Sequence, residues 1–94
     1  MLTPSTKVSP DPNVVFTEME NGESVLLHLD TNQYFSLNET GTLIWQGISE
    51  DRNLGEIGQE FENTFDVTFE QAAQSVFLLV DELVSEKLVS LKGE

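Results

Sequence analysis

The stretch YFSLNETGTLIWQGI, residues 34–48, passes from an aromatic, strand-like segment into an amphipathic helical pattern with almost no loop between them. Asn38 stands at the change, and an Asn just before a helix accepts hydrogen bonds from the free amides of the first turn. Beyond it, apolar residues including Ile44 and Ile48 recur at helical spacing, which predicts a helix to about Ser49. The segment therefore predicts an abrupt strand-to-helix corner at Asn38.

Two further strands are predicted before this corner. Residues 14–19 (VVFTEM) and 24–29 (SVLLHL) are rich in β-branched and apolar side chains, and the Asn-Gly pair between them is a strong hairpin signal. Residues 30–33 (DTNQ) have the composition of a second turn. With the short strand at 34–37, the pattern predicts a three-stranded antiparallel meander.

Two more helices are predicted after the corner, each opened by a capping box. Asn53 with Glu56 precedes one apolar stripe, and Thr68 with Gln71 opens the longest periodic segment, from 69 to about 87. A short apolar tail follows, which adds a strand or covers the base of the last helix. Strands followed by helices, without alternation, indicate the α+β class.

The last helix carries an apolar arc of roughly 160°, which is wider than one face packed on a core needs. Either the whole arc is core, or one of its margins lines a second surface. The members of the arc are Phe69, Ala72, Ala73, Val76, Phe77, Leu79, Val80, Leu83 and Val84.

Length and composition indicate one small domain. The chain has 94 residues and no cysteine, so packing must supply its stability. All three prolines lie before residue 13, which predicts a flexible or extended lead-in over 1–12 and a single domain over 13–92. Neither a secretion signal nor a membrane-spanning run is apparent, and we expect a cytoplasmic protein.

The charge balance argues against two classes of partner. The chain has 17 acidic and four basic residues, which give a net charge of −13 at pH 7. Nucleic acids and anionic membranes are both bound largely through Lys and Arg, so we expect neither as a partner.

Residues suited to catalysis or metal binding are sparse. His28 is the sole histidine and lies within an apolar strand pattern, facing away from Leu27 and Leu29, which favours a structural role. Adjacent carboxylates such as Asp81 and Glu82 do not converge on a helix surface. The sequence predicts no catalytic residue, no metal site and no cofactor.

The residues YFSLNETGTLIW resemble the PqqD-like family, whose members share an aromatic or Leu-rich third strand, a Leu-Asn-Glu corner and a Trp early in the first helix. Here these positions are Leu37, Asn38, Glu39 and Trp45. The two amphipathic helices downstream also resemble the family pattern, so the similarity covers about residues 13–91.

This resemblance implies a winged helix-turn-helix-like fold and a role in recognising precursor peptides that are made ribosomally and then modified. Family members bind the leader of the precursor as an added strand and present it to a modifying enzyme, such as a radical SAM protein or a leader peptidase. Pyrroloquinoline quinone synthesis and lasso-peptide maturation both use such domains, and no residue here selects between them.

The resemblance also implies a site on the third strand and third helix. We expect the backbone of Gln33, Tyr34, Phe35 and Ser36 to pair with the leader. The apolar groove is then lined by Phe77, Val80 and Val84, with Asp81 at its polar rim. Either flank of the arc could face the groove, since Ala72, Leu79 and Leu83 border the other side.

Three other functions compete with this hypothesis. A winged-helix transcription regulator conflicts with the charge balance, and an enzyme conflicts with the poor residue inventory. A protein–protein adaptor outside peptide modification stays open. The oligomeric state, monomer or homodimer, is also open, because an unpaired strand edge can pair with a second copy.

Overall fold

A computed structural model describes residues 2–92 and has the predicted α+β architecture. A three-stranded antiparallel sheet of residues 14–18, 24–28 and 33–37, in that order, precedes three helices, and a separate two-stranded ribbon pairs residues 8–10 with residues 89–91. No helix among these residues is both long and apolar enough to cross a membrane. The elements are β1 (Val8–Pro10), β2 (Val14–Glu18), β3 (Ser24–His28), β4 (Gln33–Leu37), α1 (Glu39–Ser49), α2 (Leu54–Phe65), α3 (Phe69–Ser85) and β5 (Val89–Leu91).

The predicted helix starts are confirmed by their hydrogen bonds. Asn38 Oδ1 accepts from the Gly41 amide at 2.9 Å, and Asn38 is the single residue between the end of β4 and the start of α1. The predicted capping boxes of α2 and α3 are both complete, each with its reciprocal pair of bonds. Local side-chain chemistry therefore determines where each helix begins.

Of the two predicted forms of the N-terminal lead-in, flexible or extended, residues 8–10 adopt the extended one as strand β1. Val8 is 1% exposed within the core, and β1 pairs in register with β5 from Val8 opposite Leu91 to Pro10 opposite Val89. The chain before β1 is also held, because the Leu54 amide donates to the Thr6 carbonyl at 2.9 Å. This segment is ordered by one buried side chain and by pairing with a strand distant in sequence. Neither contact can be predicted from local composition.

The core lies between the inner face of the sheet and the helices. Leu26 of β3 is fully buried, beside Ile44, Trp45 and Ile48 of α1 in the same cluster. Ser24 and Thr42 are buried polar residues that satisfy each other, with 2.7 Å between their hydroxyl oxygens. This bond joins the start of β3 to α1.

His28 has the structural placement that its strand pattern predicts. Its side chain is 6% exposed, on the same face of β3 as Leu26, whereas Leu29 is 51% exposed. Its Nδ1 accepts a hydrogen bond from the Asp30 amide at 3.2 Å. His28 therefore helps to order the turn between β3 and β4.

Gly47 marks the closest approach of α1 to α2. A Cβ at this position would lie 2.7 Å from Cγ1 of Ile57, a fully buried residue that has no room to move away. We expect Gly47→Ala to destabilise the protein by about 1–3 kcal/mol, because overpacking outweighs the gain in helix propensity.

Gly58→Ala is the matched control for this change. A Cβ at Gly58 would make ordinary contact with Phe69 at 3.5 Å. It should stabilise the protein by about 0.5–1 kcal/mol through helix propensity. Urea unfolding of both variants checks the prediction, and equal effects of the two substitutions would contradict the close approach at Gly47.

Candidate functional site

An open groove lies between β4 and α3, with a volume of about 620 Å³. Such a volume accommodates several side chains of a bound chain. The end of β4 and the first turns of α1 form its floor and one end, and Glu23 adds a carboxylate from the β2–β3 turn. The residues that α3 contributes are Ser75, Leu78, Leu79 and Glu82.

Strand β4 is an edge strand, and its register shows which backbone groups are unpaired within the sheet. Two hydrogen bonds show which cross-strand pairs of β2 and β3 are bonded. The Leu29 amide donates to the Asn13 carbonyl (2.8 Å), and the Met19 amide donates to the Glu23 carbonyl (2.7 Å). Because bonded and non-bonded pairs alternate in an antiparallel ladder, Val25 and Leu27 are bonded to β2.

The other residues of β3 therefore bond to β4. By the register these are Ser24, Leu26 and His28, opposite Leu37, Phe35 and Gln33. The amide and carbonyl groups of Tyr34 and Ser36 consequently point away from β3, toward the free edge. An added strand would find its main-chain partners at these two residues.

Helix α3 runs antiparallel to β4 along this edge. Ser75 and Leu78 line the groove with the last residues of β4, whereas Glu86 lies with Gln33 and Tyr34 at the first residues of β4. Leu78 is 65% exposed, so its side chain is available to a bound chain. The site thus combines a free strand edge with an apolar helical wall.

The predicted strand residues lie at this edge, in two orientations. Phe35 is half-buried and lines the groove, with Leu37 next along the same face. Tyr34 is 72% exposed on the outer face of the sheet, in a cross-strand row with Leu27 and Val15. Tyr34 is therefore available to a peptide in the groove through its backbone rather than its ring.

The predicted residues of α3 lie elsewhere. Val80 is 0% exposed, so its side chain belongs to the core and has no surface to offer. Phe77 and Val84 are half-buried against the core, and Asp81 is exposed. At about 100° per residue, Phe77 and Val84 lie on the opposite flank of the buried stripe from Leu79. None of these four residues lines the groove beside β4.

The groove is also lined by Leu78, Ser75, Glu82 and Glu23, none of which was predicted as a site residue. Leu78 gave only a weak sequence signal: it is a large apolar residue outside the apolar arc of its own helix, but single exposed apolar residues are common on protein surfaces. Ser75 and the two glutamates gave no sequence signal of a binding site, since solvated helix faces and turns are rich in such residues.

The described cations lie mostly around the α1–α2 turn, away from the groove. Asp51 pairs with Lys92 and Lys7, and Arg52 pairs with Glu50 and Glu60. The hydrogen bond from Lys92, supported by the charge of Lys7, lowers the pKa of the Asp51 carboxyl below its usual value. The groove lining contains no Lys or Arg, and its ionisable side chains are Glu23 and Glu82.

Residues 23–89 match the family described as "Coenzyme PQQ synthesis protein D (PqqD)", and this range includes the strand-to-helix corner and all three helices. The chain belongs to the PqqD family. A search of curated proteins gave no match.

Two solved structures resemble this PqqD-family chain over nearly its whole length. The structure described as "TbiB1 in Complex with the TbiA(beta) Leader Peptide" is 27% identical, with a TM-score of 0.80 over 92% of this chain and 96% of that chain. "Lasso peptide synthetase B1 complexed with the leader peptide" is 23% identical, with a TM-score of 0.78 over 92% and 99%. The second similarity concerns the fold alone.

Proposed function

We propose that this PqqD-family protein binds the leader of a ribosomally made precursor peptide in the groove, as a strand added to β4. The observation that carries the proposal is the juxtaposition of an unpaired strand edge with the apolar wall of α3. Strand addition requires both features, because main-chain hydrogen bonds supply affinity and side-chain pockets supply selectivity. The similar TbiB1 structure, which is a complex with a leader peptide, supports the same function.

The proposed contacts divide between backbone and side chains. On β4, the segment 33–36 pairs with the leader, and Tyr34 and Ser36 supply the hydrogen bonds. On α3, leader side chains pack on Leu78 and Leu79, in place of the flank that carries Phe77, Asp81 and Val84.

The protein acts in this proposal as a non-catalytic chaperone that presents the leader to a modifying enzyme, either a radical SAM protein or a leader peptidase. The groove offers backbone groups, aliphatic side chains and carboxylates, which are suited to holding a chain. Leader binding also occupies the β4 edge, so it competes with any homodimer formed through that edge.

Amide chemical shifts test the location of the site. A labelled full-length chain is titrated with the N-terminal segment of the precursor peptide encoded beside its gene. We expect the largest shifts at residues 33–37 and at Leu78, Leu79 and Glu82. Shifts centred on Phe77, Asp81 and Val84 instead would assign the wall to the other flank of α3. Binding that leaves both regions unperturbed would contradict strand addition.

Leu78→Ser provides a test of the apolar wall. Leu78 is 65% exposed, so the change removes little core packing, and the fold should be retained. If a leader side chain covers Leu78, its loss should weaken leader binding by about tenfold. Leu91→Ser on β5, at a residue 49% exposed and outside the groove, is the matched control and should bind normally. Calorimetric titration measures both, and equal affinities would remove Leu78 from the site.

A further inference from the structure

The charged residues along the groove all have the same sign. Glu82 lines it in the last turn of α3, and Glu23 lines it near the end of β4. Glu86 lies one helical turn beyond Glu82 and contributes to the adjoining small pocket beside Gln33 and Tyr34. A strand bound along β4 would thus pass carboxylates near both of its ends.

These carboxylates are not neutralised by basic side chains of the described residues. Lys7, Arg52 and Lys92 pair with Asp51, Glu50 and Glu60 at or beside the α1–α2 turn. Lys87, the fourth basic residue, directly follows Glu86, but among the described residues it makes no ion pair. Within residues 2–92, no ion pair involves Glu23, Glu82 or Glu86. The net charge of −13 adds a negative field over the whole surface.

We infer that the groove is built for a cationic leader, with an apolar strand that packs on Leu78 and Leu79 and with Lys or Arg placed opposite Glu82 and Glu23. This inference rests on the proposed function and specifies the chemistry of its peptide. Charge complementarity of this kind steers association and rejects acidic competitors. It also disfavours a second copy of the chain as occupant, since two surfaces of charge −13 repel each other.

Selection from a displayed library of random peptides tests the inference and does not require the leader to be identified first. The full-length chain is the bait, and two charge-reversed variants, Glu82→Lys and Asp81→Lys, are screened in parallel. These variants change the net charge equally and alter neighbouring residues of α3. Glu82 faces the groove and Asp81 does not.

The expected result is enrichment of Lys and Arg beside apolar residues, lost with Glu82→Lys and retained with Asp81→Lys. For one enriched peptide, Glu82→Lys should reduce affinity by about tenfold, mainly through slower association, and Asp81→Lys by less than about twofold. Raising the salt concentration should weaken the wild-type complex and reduce the difference in affinity between the wild type and Glu82→Lys.

Amide shifts of the labelled protein show whether a negative result contradicts only the cationic specificity or the proposed function as well. Peptides that perturb Tyr34 and Ser36 but show no basic preference, and bind both variants alike, would overturn the cationic specificity and leave strand addition intact. A screen that yields no peptide, or peptides that leave β4 unperturbed, would overturn the proposed function together with the inference. A dimer formed through β4, detected by sedimentation, would assign the groove to a second copy.

Discussion

Ser36→Pro should weaken leader binding by about tenfold or more, because proline removes the Ser36 amide hydrogen from the free edge of β4 and leaves a leader carbonyl unpaired. Ser36 lies opposite Val25 in a non-bonded pair, so the substitution breaks no hydrogen bond to β3. Edge strands tolerate proline when the lost amide faces outward. Stability should therefore change by less than about 1 kcal/mol, whereas a tenfold loss of affinity corresponds to about 1.4 kcal/mol of binding free energy.

Ser36→Ala is the control for this prediction. It removes the hydroxyl but keeps the amide, and it should bind the leader with nearly wild-type affinity. Affinity is measured by calorimetric titration, and the melting temperature of each variant by circular dichroism. Undiminished binding by a folded Ser36→Pro protein would show that the leader does not take its hydrogen bonds from this edge.

The register of β4 shows how much of the site can be predicted from local sequence. The predicted segment 33–36 lies on an edge strand, but the alternation between Tyr34 and Phe35 depends on how β3 pairs with β2. That phase is fixed by contacts such as Leu29 with Asn13, which join residues distant in sequence. A strand can be recognised from its own residues, whereas the direction of its free amides is a property of the sheet.

Helix α3 illustrates a different limit. Its start at Thr68 and its apolar arc were predictable, because capping and periodicity are local properties. Which margin of the arc meets the groove depends on how the helix is rotated against β4, and packing of the whole domain determines that rotation. Phe77 and Leu79 look equivalent on a helical projection, yet only Leu79 lies in the groove.

The β1–β5 ribbon was the least predictable element. Each strand has three residues, too few for a periodic signal, and Pro10 lies within the first. Their pairing depends on the burial of Val8 and Val89, and both are buried only because β5, which follows α3, lies beside β1 near the N-terminus. Tertiary burial therefore overrides the local preference for an irregular segment.

Trp45→Ala should produce the largest loss of stability that we predict. Trp45 is 3% exposed, and its ring stacks on Phe16 with 6.4 Å between centroids, so it joins α1 to β2 across the core. Removing such a side chain costs about 3–5 kcal/mol. That loss is a large share of the roughly 5–15 kcal/mol that stabilises an ordinary domain, and it corresponds to a fall in melting temperature of more than about 12 °C.

Trp45→Phe distinguishes packing from a direct role in binding. Phenylalanine retains aromatic contact with Phe16, so this variant should lose less than half as much stability as Trp45→Ala. It should also bind the leader normally, because Trp45 does not line the groove. Circular dichroism is the suitable probe, since Trp45 is the sole tryptophan and its fluorescence is lost in both variants. If Trp45→Phe were as stable as the wild type but bound the leader poorly, Trp45 would act in recognition rather than in holding the corner of α1 against the sheet.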